Sequence, residues 1–133
     1  MADLYSQADL GEMINNGQVL SFVANAAITK GQVVKFVAVA NDLPKVDVAG
    51  AGDMGVGVAT KTVAAGEDCP VAMNGAVIKV TGSGAITAGA AVKSGANGVV
   101  VAGTRLTDAT IFATAFQTFA DGDTGLILVG GMA

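Results

Sequence analysis

From Gly17 onward, short runs of mostly apolar, β-branched-rich residues read as β-strand. In 18–25, Val19, Ser21 and Val23 share one face and Leu20, Phe22 and Ala24 the other. Both faces are largely apolar, as in a strand covered on two sides. Further strands are predicted at 32–40, 55–63, 69–80, 98–102, 110–119 and 125–129. Thr29-Lys30-Gly31 forms a turn before 32–40, and Asn41-Asp42-Leu43-Pro44 ends that run. Proline cannot donate to a strand ladder, and Asn and Asp favour turns. Short strands separated by Gly and Asn/Asp turns predict an all-β fold, a small barrel or sandwich. One stretch is ambiguous. Phe112, Ala115, Phe116 and Phe119 have helical spacing, yet Thr110, Phe112, Thr114, Phe116 and Thr118 also alternate with Ile111, Ala113 and Ala115.

An internal repeat resolves that ambiguity in favour of strand. Ala27-Ile28-Thr29-Lys30-Gly31-Gln32-Val33-Val34-Lys35 aligns with Ala85-Ile86-Thr87-Ala88-Gly89-Ala90-Ala91-Val92-Lys93 at an offset of 58, with six of nine positions identical. At an offset of 56, residues 59–67 align with 115–123, sharing Ala59/Ala115, Thr62/Thr118, Ala64/Ala120 and Gly66/Gly122. The expected organisation is one β domain over 17–133, built from similar halves at roughly 26–73 and 84–129, behind an N-terminal arm over 1–16. Within the arm, Ser6-Gln7-Ala8-Asp9 resembles a capping box, and Leu10, Met13 and Ile14 would share a helical face. A short helix and an extended arm both remain open.

Composition narrows the chemistry. The chain has no His and one Cys, Cys69. A Ser-His or Cys-His nucleophile pair therefore cannot be built within one subunit. A zinc site would need carboxylates alone or a second chain, and an intramolecular disulfide is excluded. The net charge of −4 argues against nucleic acid, which is bound largely by neutralising phosphates. Mean hydropathy is +0.60, yet no apolar run approaches the ~18 residues of a membrane span. The acidic start lacks a positively charged n-region, so no signal peptide is read and synthesis in the cytoplasm is expected. So apolar and charge-poor a domain would leave large patches wet as a monomer, which predicts self-association.

Candidate motifs reduce to turns. Gly50-Ala51-Gly52-Asp53-Met54-Gly55 satisfies G-x-G-x-x-G, but a strand pattern follows it instead of a helix, and no βαβ unit surrounds it. Asp121-Gly122-Asp123 resembles the start of a calcium loop, but 126–133 supplies no acid to complete one. Cys69 follows Glu67 and Asp68, the wrong setting for a reactive thiolate. No paired carboxylates mark a cleft. The expectation is no enzyme, no catalytic residue, no cofactor and no metal.

Gly57-Val58-Ala59 is followed by Val63-Ala64-Ala65-Gly66-Glu67 and Val71-Ala72-Met73-Asn74-Gly75-Ala76-Val77, and later by Ala85-Ile86-Thr87-Ala88-Gly89 leading to Val92. This series resembles the small β-barrel capsid decoration (cement, or head-fibre base) proteins of tailed bacteriophages, over roughly 18–129. The resemblance implies a structural virion protein, often trimeric. It would bind the major capsid protein lattice from outside and staple neighbouring capsomers, with neither membrane nor nucleic acid as partner. It also implies an N-terminal arm lying along the shell or a neighbour, here with Leu4, Tyr5, Leu10, Met13 and Ile14 as its apolar contacts. The sequence departs from the pattern at 104–119, where Ile111-Phe112-Ala113 replaces Gly-Val-Ala. The alternative is a surface-displayed carbohydrate- or receptor-binding β module, against which the lack of Trp and the single Tyr weigh.

Overall fold

The computed structural model describes residues 13–15, 18–37 and 44–130. Described residues are almost entirely strand and turn. β1 (Met13–Asn15) is followed by β2 (Val19–Ala24), β3 (Val33–Val37), β4 (Lys45–Val48), β5 (Gly57–Ala59) and β6 (Asp68–Ala72). Strands β2 to β6 form a closed barrel in the order β2-β4-β3-β5-β6. Closure comes from β2 pairing antiparallel with β6 and parallel with β4.

The second sheet contains β7 (Val77–Thr81), β8 (Ala91–Ser94), β9 (Val100–Ala102), β10 (Ile111–Ala115) and β11 (Thr124–Val129). Its order is β1-β7-β11-β10-β8-β9. A single parallel bridge, Gly82 to Val100, brings its ends together. It is thus a second small barrel, closed by one bridge, with β1 added along the outer edge of β7.

The two barrels use the same hydrogen bonds. Ile28 and Val63 exchange N–H···O bonds of 3.0 and 2.9 Å, and Ile86 and Phe119 exchange two of 2.9 Å. The Gly31 N–H donates to the Ala59 carbonyl and the Gly89 N–H to the Ala115 carbonyl, both at 2.8 Å. The Lys30 and Ala88 N–H groups donate to the hydroxyls of Thr62 and Thr118 at 3.0 and 2.9 Å. In register, Val19 faces Ala72 as Val77 faces Leu128.

Several predicted elements are corrected. The stretch 69–80 is two strands, β6 and β7, because Met73-Asn74-Gly75-Ala76 reverses the chain. Gly75 takes φ 86° there, a conformation open to glycine. The predicted 55–63 shrinks to Gly57–Ala59, and 110–119 to Ile111–Ala115. Lys45–Val48 is a strand the pattern did not suggest. Pro44 lies just ahead of it and offers its carbonyl to the Val23 N–H at 3.2 Å. Instead of opening a strand, Gly98 ends a single 3-10 turn, Ala96–Gly98, with Asn97 at φ 58°.

Two cores result. Ala24, Ile28, Val34, Val46, Ala59, Val63, Cys69 and Val71 fill the first barrel. The second core contains Ile78, Val80, Ile86, Val92, Val100, Phe119 and Ile127, and it also takes in Val33, Ala49, Val58 and Ala72 from the outer wall of the first barrel. The barrels therefore share apolar packing instead of hanging as separate beads.

Candidate interaction surface

Turn chemistry fixes the loops that carry the surface. Asp53 folds back on loop 50–53. Its carboxylate accepts the Gly50 N–H at 2.8 Å and holds the Lys35 ammonium at 3.0 Å. The second barrel repeats this clasp: Asp108 accepts the Thr104 N–H at 2.7 Å and pairs with Lys93 at 3.1 Å. In both aspartates the backbone N–H bond, followed by the lysine, lowers the carboxyl pKa. These clasps brace the two loops.

An apolar surface opens beside the first clasp. Phe36, on β3, is 50% exposed and meets Phe22 edge to face with ring centroids 5.3 Å apart. One groove of about 530 Å³ is lined by Phe36, Val37, Asp47, Asp53, Met54 and Val56. A second, of about 360 Å³, continues from Phe36, Met54 and Val56 to Met73, Ile111 and Phe112. Leu20 is exposed at the start of β2 and lies on the same strand face as Phe22 by alternation. The barrel's open mouth is thus apolar, with Asp47 and the Lys35–Asp53 pair at its side. Farther along the chain, Leu106 is fully exposed at φ 70° in the second clasped loop.

The sequence-derived motifs fall elsewhere. Residues 50–55 are an inter-strand loop with Gly52 at φ 84°. Asp121-Gly122-Asp123 is a tight turn in which the Asp123 N–H donates to the Ala120 carbonyl at 3.1 Å and Asp121 accepts the Gly84 N–H at 2.7 Å. Among the described residues no group of three His, Cys, Asp or Glu side chains could hold a metal. Cys69 is buried in the first core, and burial pushes its thiol pKa up. Of the arm residues, Leu4, Tyr5 and Leu10 lie outside the described residues. Met13 and Ile14 lie on β1, where Met13 is in register with Ile78. The backbone there is extended, not helical. The open mouth and the Leu106 loop were missed in sequence, where Phe36 stood only within the predicted strand 32–40 and Leu106 carried no signal.

This is a strand-built, turn-braced protein of two small barrels with apolar ground exposed for contact. The phage cement protein family model matches residues 14–131, and the chain belongs to that family. It is a phage structural protein of the virion, associated with the capsid. No curated protein sequence matches it. Among solved structures it is similar to the head fibre gp8.5 N base of bacteriophage phi29. That match has 18% identity and a TM-score of 0.66, over 84% of this chain and 92% of the other. At that identity the likeness is one of fold.

Proposed function

We propose that the protein is a decoration protein. It binds the outer surface of an assembled phage capsid, contacts the major capsid protein lattice and stabilises it, after synthesis in the host cytoplasm. The observation that carries this reading is membership of the cement protein family over nearly the whole chain. The exposed apolar mouth of the first barrel supports a role in contacts over one in chemistry. Many weak sites engaged together on one shell hold it firmly although each alone is modest. A homotrimer would bury part of the apolar surface that one chain leaves wet.

In this reading the N-terminal residues form an arm along the shell, with Leu4, Tyr5, Leu10, Met13 and Ile14 as its apolar contacts. The test is deletion of residues 2–12, which leaves β1 in place on β7. The full chain should co-sediment with emptied heads. The shortened chain should remain in the supernatant while keeping its far-ultraviolet spectrum. Equal occupancy by both would remove the arm from the interface, and no binding by the full chain would overturn the decoration role.

A further inference from the structure

Within one chain, the first barrel stops the mouth of the second. Wall residues Val33, Ala49, Val58 and Ala72 are all 0% exposed and pack with Ile78, Phe112 and Val129. Loop 49–55 completes the seal. The Gly98 N–H donates to the Ala49 carbonyl at 2.9 Å. The Ser94 hydroxyl lies 3.0 and 2.7 Å from the carbonyls of Gly50 and Asp53. Gly55 leaves room for the Phe112 ring, which a Cβ there would meet at 3.2 Å.

Each part of this contact has a counterpart at the repeat offset, and the counterparts are exposed or only half-buried. Leu20, Phe36, Val56 and Met73 stand in the first barrel where Ile78, Ser94, Phe112 and Val129 stand in the second. Ile78 and Ser94 are 0% and 2% exposed; Leu20 and Phe36 are 43% and 50% exposed. The wall that does the plugging is also repeated. The Gly103 N–H donates to the Ala91 carbonyl at 2.8 Å just as the Ala49 N–H donates to that of Val33 at 2.9 Å. Thr114 and Leu128 take the places of Val58 and Ala72 on that second wall.

The plugging loop recurs as well, clasped by Lys93–Asp108 in place of Lys35–Asp53. Where the first loop has Gly52 at φ 84°, the second has Leu106 at φ 70°. A leucine in left-handed conformation costs roughly 1–2 kcal/mol, and full exposure gives a single chain no burial in return. Backbone outliers of this kind cluster where a surface has work to do.

We propose that loop 104–108 and the outer wall of the second barrel seat on the open mouth of the first barrel of another copy of this chain. The contact within one chain is then repeated between chains. Leu106 is the plug, and Leu20, Phe36, Val56 and Met73 form the socket. Charge agrees, since Arg105 flanks the plug and Asp47 lines the mouth. Such a contact joins unlike surfaces, so it propagates head to tail and ends only by closing a ring. A closed trimer would be a ring of six barrels. The inference needs no capsid, and it stands or falls apart from the decoration role.

The test uses Leu106→Asp and Phe36→Asp in the full chain, with mass read by analytical ultracentrifugation. The unaltered protein should be oligomeric, and each variant alone should fall to monomer with an unchanged far-ultraviolet spectrum. An equimolar mixture should recover a heterodimer, because the intact loop of one variant meets the intact mouth of the other. Should Phe36→Asp fail to fold, Leu20→Asp spoils the same mouth at an exposed position. A monomeric unaltered protein, a Leu106→Asp variant of undiminished mass, or a mixture that stays monomeric would each overturn the proposal.

Discussion

Ser94 is the buried polar side chain on which the joint between the barrels turns. It is 2% exposed, at the end of β8, and its hydroxyl reaches two carbonyls of loop 50–53. The Gly50 carbonyl also accepts the Asp53 N–H at 3.2 Å. The Asp53 carbonyl has the shorter serine bond, 2.7 Å, so it bears most of the loss in Ser94→Ala. A hydrogen bond contributes about 1 kcal/mol net, and a carbonyl left dry raises the cost of removal to about 1–3 kcal/mol. We expect a loss of about 2 kcal/mol, since Ser94 is buried against both carbonyls and water cannot replace the hydroxyl readily. In thermal unfolding followed by circular dichroism, a chain of this length should lose about 5–10 °C. Urea titration at the same protein concentration should show a lower midpoint with the slope preserved. Ser83→Ala, at an exposed serine, is the control and should leave the midpoint in place. A Ser94→Ala loss below about 0.5 kcal/mol, within the range of ordinary surface changes, would refute the sealed joint.

Two further outcomes test the packing and the clasps. Gly125→Ala sets a Cβ onto the Phe119 ring, and overpacking of this kind costs about 1–3 kcal/mol; thermal unfolding reads it directly. The carboxyls of Asp53 and Asp108 have pKa values depressed below the ordinary 3.8, chiefly by backbone N–H bonds and then by lysine. A depressed folded-state value contributes stability that is present above 3.8 and lost as pH falls through the lower folded value. Urea midpoints should therefore fall on acidification below 3.8, and less steeply in the double variant Asp53→Asn, Asp108→Asn. Identical slopes for the two proteins would show that the clasps do not contribute.

What the sequence disclosed, and what it hid, follows from distance along the chain. Short apolar runs set between Gly and Asn/Asp turns identified most strands, because the strands are short and tightly connected. The match of 27–35 to 85–93 marks positions whose turns close with equivalent bonds, Ile28 with Val63 and Ile86 with Phe119. Phe119 was ambiguous by periodicity, and its repeat partner Val63 decided for the extended form. The turn at Met73–Ala76 did carry a signal, the turn dipeptide Asn74-Gly75, but apolar residues on both sides of it read as one strand. The clasps escaped because Lys35 to Asp53 spans 18 residues and Lys93 to Asp108 spans 15, so no single offset aligns them. Hardest to see was the contrast between Phe36 and Ser94. Their burial depends on a loop that covers one and not the other, and neither residue type announces that. Leu106 was illegible for the same reason: exposure of an apolar residue is a property of the assembled fold.

The sharing of wall residues between the barrels has a consequence for biosynthesis. The first core, with the residues packed against it, draws on residues 22–73, so it can close while the rest of the chain is still being made. The second core requires Val33, Ala49, Val58 and Ala72 to be already in place. Dependence thus runs in one direction, from the first barrel to the second, and ribosomes deliver the chain in that same direction. Only β1 breaks the order. Made first, it must wait for β7, some sixty residues later, to find its partner.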